Sequence, residues 1–213
     1  MKDLYSFHTD RADLDAYYQK VITAYKKIFK RLGLKTFLTE ASGGAFTKEY
    51  THEFQVLNPA GEDTVNYCEK CGFSQNQEIY KSESHKNCDS EIKSARAIEV
   101  GNVFKLGTKF SEAFNLAYAD KTGAKQPVIM GSYGIGPSRV MGTIVEEYND
   151  EKGIIWPEAV APFRAHLVAL GDSPKVQKEA EKVYKLLSGL VGETEVLYDE
   201  RSASAGEKLN DAD

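Results

Sequence analysis

The chain is poor in cysteine and has no long apolar run. Three cysteines in 213 residues, an odd count, leave no disulfide framework to organise a fold. No stretch approaches the roughly 18 apolar residues that would cross a membrane. The opening MKDLYSFHTD has no apolar segment, so no signal peptide is expected and a cytoplasmic protein is the default. Positive charge is not in excess either: the formal net charge is −5 and the pI near 5.5. A sequence-blind nucleic-acid binder needs a basic face to release counterions from phosphate, and this composition argues against one. It leaves room for an RNA enzyme that keeps its basic groups local. Internal repeats and low-complexity tracts are also lacking.

What remains is an ordinary globular composition, long enough for one large domain or for one domain and part of another. Leu14, Tyr17, Val21, Tyr25, Ile28 and Leu32 recur at spacings of three and four, which predicts a helix over 10–32. Thr9 or Asp10 can cap its start, and Gly33 can end it. Residues 34–39, 52–57, 64–67 and 97–106 read as strands, with a turn at Asn58-Pro59-Ala60-Gly61. Residues 115–119 and 127–133 flank Lys121-Thr122-Gly123-Ala124 as a hairpin, and a helix follows over about 138–148. The polar stretch 68–93 has no period and reads as an inserted loop or mini-module. Beyond Gly153-Ile154-Ile155-Trp156-Pro157 the order becomes strand 165–170, helix 175–190, strand 195–198 and a helix opening near Ala205. That order predicts parallel pairing. The fold class expected is α/β in the broad α+β sense: an antiparallel sheet with helices over 1–156, then an α/β unit over 157–213.

Two constellations carry chemistry. Met130 to Gly142, MGSYGIGPSRVMG, reads as a strand, a glycine-bearing turn and a helix with an arginine near its start. Gly134 and Gly136 let backbone approach a ligand, a helix N-terminus favours an anion, and the Arg139 fork fits phosphate. Taken alone, the pattern fits a tight turn with a surface arginine equally well. The second constellation is Cys68-x-x-Cys71 followed by His85-x-x-Cys88. Two chelating pairs across a loop have the spacing of a zinc site with three thiolates and one imidazole. The other reading is a loop with unrelated thiols and a histidine.

The MGSYGIGPSRVMG string resembles motif 3 of class II aminoacyl-tRNA synthetases in the form seen in bacterial-type prolyl enzymes. Ile98 to Ser111, IEVGNVFKLGTKFS, resembles the strand before motif 3. MKDLYSFH resembles the last strand of motif 2, and THEFQVLNPAGED the block before the family's editing insertion. GIIWPEAVAPF resembles the junction to the anticodon-binding domain, and LYDERSASAGEKLNDAD that domain's second strand and following helix. The matches fall in the family's order over nearly the whole chain.

The resemblance implies roles. Arg139 corresponds to the arginine that binds the ATP γ-phosphate, and Gly134 and Gly136 to glycines under adenine and ribose. Glu99 corresponds to a position facing ATP and Mg2+, with Asn102 beside it where the family usually has histidine. Asp3 and Tyr5 correspond to positions lining a proline pocket, with Phe7, Phe104 and Ser132 as its walls; Ser132 stands where cysteine is frequent. His52 and Glu53 correspond to a pair on a strand beside the site. The bland readings are core aromatics for Phe7 and Phe104, a structural histidine at 52, and a surface pair of Glu99 with Arg96.

Proline, ATP and tRNA(Pro) are the partners implied. Only about forty residues replace the family's large editing domain, too few for one, so editing of mischarged alanine is not expected. Motif 1, through which the homodimeric family pairs, and the motif 2 arginine on the α-phosphate precede Met1 in the family. Without that arginine several kcal/mol of transition-state stabilisation would be missing, on the order seen for lost oxyanion donors. A partial chain inactive alone is therefore expected. The alternative is a non-catalytic synthetase-derived module that binds nucleotide, tRNA or a protein partner.

Overall fold

The computed structural model describes residues 1–82, 85 and 88–212. The chain divides into two compact units, Met1–Glu147 and Tyr148–Asp213. Among the described residues, no helix is long and apolar enough to cross a membrane.

The first unit opens with β1 (Lys2–His8) and α1 (Arg11–Arg31). Asp10 caps α1, its carboxylate accepting from the Asp13 N–H at 2.9 Å, and Gly33 at φ 78° carries the chain out. The buried stripe of α1 is Leu14, Tyr18, Val21, Ile22, Tyr25 and Phe29. Tyr17, Ile28 and Leu32, expected on that face, flank it half-buried. The sequence pattern fitted two neighbouring stripes, and the sheet below decides between them.

That sheet contains β2 (Thr36–Ala41), β3 (Thr51–Leu57), β4 (Asp63–Tyr67), β5 (Ser74–Asn76), β6 (Lys93–Gly107) and β9 (Ile129–Ile135) in addition to β1. Its order is β1-β9-β6-β3-β2-β5-β4. Phe54 of β3 meets Phe29 and Tyr25 of α1, with ring centroids 5.2 and 5.5 Å apart. Gly101 of β6 lets them close: a Cβ there would stand 3.1 Å from Phe29 Cζ. The helix α2 (Lys109–Ala113) and a short hairpin, β7 (Ala117–Ala119) with β8 (Lys125–Pro127), lead to β9. The hairpin is shorter than expected because β9 pairs instead with β1 and β6. The unit ends in α3 (Pro137–Glu147).

The polar stretch after β4 is not all loop. It contributes β5, which runs parallel to β2 and antiparallel to β4. β6 pairs with β4 through its first residues and with β3 from Ala97 onward, so Ala97 lies opposite both Asp63 and Leu57. The pairings β6–β3–β2–β5–β4–β6 therefore close a small ring. Val65, Tyr67 and Ala97 fill it, packed by Phe37, Leu57 and Ala95. The short polar segment Ser74–Asn76 carries no apolar alternation because strand pairing and polar side-chain bonds hold it there: Ser74 Oγ lies 2.7 Å from Thr39 Oγ1, and Gln75 Nε2 donates to Glu40 at 2.7 Å.

The second unit runs β10 (Ala165–Val168), α4 (Pro174–Val191), β11 (Val196–Asp199) and α5 (Ala205–Ala212). β10 and β11 are parallel, as the element order predicts. Ser173 caps α4, and Pro174 occupies its first turn. The Lys208 ammonium is buried and donates to the Ala169 carbonyl at 2.9 Å.

Candidate active site

Residues opposite one another in an antiparallel pair share a face, so the register sorts the side chains. Glu53 and Gln55 stand opposite Asn102 and Glu99. Asn102 and Phe104 stand opposite Gly134 and Ser132, which stand opposite Asp3 and Tyr5. Phe7 falls on the same side by alternation. All of these face away from α1.

Glu99 and Asn102 are three residues apart, a spacing that an unbroken strand puts on opposite faces. The register slips here, with Phe54 opposite Gly101 and Gln55 opposite Glu99. Val100 is thus the extra residue of a bulge. The bulge returns Glu99 to the side of Asn102, whose Nδ2 donates to Glu99 Oε1 at 2.9 Å.

Glu99, Asn102, Gly134, Gly136 and Arg139 line one cleft of about 230 Å³. A Cβ on Gly134 would lie 2.9 Å from Asn102 Oδ1, so glycine keeps this floor open. Arg139, in the first turn of α3, forms an ion pair with Glu62 in the turn before β4. Its Nη1 also lies 3.4 Å from the Glu99 carbonyl. Arg96, the surface partner considered for Glu99, instead donates to the Gly61 carbonyl at 2.8 Å.

Beside the cleft, carboxylate oxygens of Glu53, Asp63 and Glu99 lie within 4.8 Å of one another. The fully buried Gln55 donates from Nε2 to Glu53 at 2.9 Å and to Asp63 at 2.7 Å. Its Oε1 has no partner among the described residues. Burial first, and the Glu99 charge second, push Glu53 up to about 7. Burial likewise raises Glu99. Three carboxylates offer the hard oxygen ligands that suit a divalent cation such as Mg2+.

Along the same face the surface opens. Asp3 is exposed, Tyr5 and Phe7 are 53% and 57% exposed, and Phe104 packs on Phe46 with centroids 5.1 Å apart. Ser132 is half-buried between them. Phe7 is therefore a surface aromatic, not a core one. His52 does not join this group. It points to the helix side, its Nδ1 2.9 Å from the Tyr18 hydroxyl. Burial lowers its pKa, as fits a neutral imidazole in a packed layer.

Residues 1–148 match the family model of the class II tRNA synthetase core domain (G, H, P, S and T). The chain belongs to the class II tRNA synthetase family. Its relatives include proline–tRNA ligase of Wolbachia sp. subsp. Drosophila simulans (strain wRi), 37% identical over 229 residues, covering 100% of this chain and 52% of the relative. The probable mitochondrial proline–tRNA ligase of Schizosaccharomyces pombe is 37% identical over 221 residues, covering 100% and 51%. Proline–tRNA ligase of Staphylococcus haemolyticus is 28% identical over 364 residues, covering 100% and 64%. That last alignment is far longer than this chain, so the relative carries a long stretch without counterpart here. The chain spans about half the length of the first two relatives.

In this class II core, sequence reasoning missed Gln55, Glu62 and Asp63. Alternation from Glu53 would have put Gln55 on the same face. Glu62 and Asp63 are brought in by the turn after Pro59 and by β4 pairing opposite Ala97, which no local pattern announces. The other constellation also comes together: the ligand atoms of Cys68, Cys71, His85 and Cys88 all lie within 4.8 Å of one another.

Proposed function

We propose that this chain is the motif 3 half of a proline–tRNA ligase, which joins proline to ATP and then transfers it to tRNA(Pro). The observation that carries the reading is the convergence of Glu99, Asn102, Gly134, Gly136 and Arg139 on one cleft. Arg139 would exchange Glu62 for the γ-phosphate, and the glycines would seat adenosine. Glu99, with Glu53 and Asp63, would hold Mg2+, which neutralises the triphosphate when bound. Asp3 would pair with the proline imino cation, and Tyr5, Phe7, Phe104 and Ser132 would wall its ring. Catalysis of this kind is positioning and charge stabilisation. Residues 157–213, with their parallel β-α-β, would be the start of the anticodon-binding domain. The short segment between β4 and β6 favours an enzyme without an editing domain.

The test is calorimetric titration with a non-hydrolysable prolyl-adenylate analogue and with a non-hydrolysable ATP analogue plus Mg2+. The prolyl analogue binds more tightly than its alanyl counterpart. Arg139→Ala weakens the ATP analogue about 10- to 100-fold, the worth of a charge-assisted bond. A folded chain that binds neither ligand refutes this reading and leaves the non-catalytic module.

A further inference from the structure

We infer that Cys68, Cys71, His85 and Cys88 form a closed, structural zinc site that clasps the connections between β4, β5 and β6. The inference is independent of the aminoacylation reading, because none of these residues lines the nucleotide cleft.

The geometry is that of one tetrahedral ion. With Zn–S bonds of about 2.3 Å, two sulfurs on a tetrahedron stand about 3.8 Å apart. Cys68 Sγ and Cys88 Sγ are 3.8 Å apart, and Cys71 Sγ and His85 Nε2 are 3.3 Å apart. The three cysteines are free thiols. The sulfur separation is also far too long for the roughly 2.05 Å of a disulfide.

The backbone around the ligands is built for sulfur. The Cys68 sulfur accepts from the N–H groups of Cys71 and Lys70, the Cys71 sulfur from Phe73, and the Cys88 sulfur from Ser90. These are the outer contacts that hold metal thiolates in place. Gly72, at φ 75°, turns the chain after the first pair, and its N–H donates to the Cys68 carbonyl at 3.0 Å. The Phe73 ring lies against the His85 imidazole, with centroids 5.3 Å apart.

The placement explains why a metal is useful here. Cys68 follows the last residue of β4, Cys71 lies in the turn to β5, and His85 and Cys88 lie on the path into β6. The segment between β5 and β6 has few apolar residues with which to hold itself. An ion with four protein ligands and no open position supplies that cohesion. Thiolate and imidazole ligands in a tetrahedron select zinc over hard cations.

The test uses the whole chain, purified without chelator and assayed for metal by mass spectrometry. One zinc per chain is expected. After chelation under reducing conditions, Co2+ restores the intense visible bands of a tetrahedral thiolate site. Cys88→Ser loses those bands, whereas His85→Cys keeps them, displaced toward the lower energy of an all-thiolate set. Chelation also opens residues 77–82 to protease. Sub-stoichiometric zinc, with no tetrahedral Co2+ bands in a chain whose circular dichroism is that of the folded protein, overturns the inference. So does His85→Cys binding no Co2+ while folded.

Discussion

Asn102 and Glu99 are joined at 2.9 Å across a bulge that an unbroken strand would have kept on opposite faces. Removing the amide should free the Glu99 carboxylate. Asn102→Ala is expected to weaken binding of an ATP analogue with Mg2+ about tenfold. Stability should change little. Asn102→His, the residue usual in the resembling enzymes, should recover most of the loss in the same titration.

On the proposed reading, Glu62 and an incoming phosphate would compete for one guanidinium. The Arg139–Glu62 pair is half-exposed on both sides, and such pairs contribute about 0–1 kcal/mol. Glu62→Gln should therefore leave the urea midpoint unchanged. It should tighten the ATP analogue by up to about fivefold. Weaker binding would instead make Glu62 a support for Arg139.

Glu53 predicts a pH slope. Its folded value of about 7 lies above the ordinary 4.5, so the folded state holds the proton more tightly than the unfolded chain. Stability falls as pH rises through that window. Glu53→Gln should remove the slope, gaining on the order of 1 kcal/mol over the parent at pH 8 and almost nothing at pH 4.5. Urea denaturation at the two pH values reads the difference. A magnesium ion bound by the carboxylates should shrink it.

Phe54 is fully buried between Tyr25 and Phe29. Phe54→Ala should destabilise by about 3–5 kcal/mol. Gly101→Val drives a side chain into Phe29 and should cost about 1–3 kcal/mol. Both effects should appear in the urea midpoint. If Gly101→Val unfolds as the parent does, α1 is not seated on β6 as described.

The glycine and arginine part of the candidate cleft was legible because its signals are local. Gly134, Gly136 and Arg139 lie within six residues, and a strand–turn–helix passage needs only short-range signals to place them. The helix α1 was legible for the same reason, though not which of two adjacent stripes it buries. Tyr18 and Phe29 are buried in place of Tyr17 and Ile28 by partners far along the chain, the Val103 carbonyl that accepts from the Tyr18 hydroxyl and the Phe54 ring against Phe29. The carboxylate group was only partly legible. Glu53 and Glu99 carried family positions, but their meeting with Asp63 depends on a bulge and on a ring closed through β5. Neither leaves a mark in hydrophobic periodicity. His52 was visible as a histidine beside the site, while the face it occupies follows from strand register alone.

The stretch from Cys68 to Ile92, which contributes β5, is bounded by Tyr67 and Lys93, which stand directly opposite each other in the β4–β6 pair. Its two ends are therefore about 5 Å apart whatever lies between them. Such a junction is a socket. Beyond β5, a hairpin, a metal-clasped knot or an entire additional domain fits this junction with β5 and its ring kept, because Glu99, Asn102 and the glycines all lie outside the exchanged piece. For an engineer, this is the place to graft a cassette. For a lineage, it is where an accessory activity can be gained or shed while the chemistry beneath stays whole.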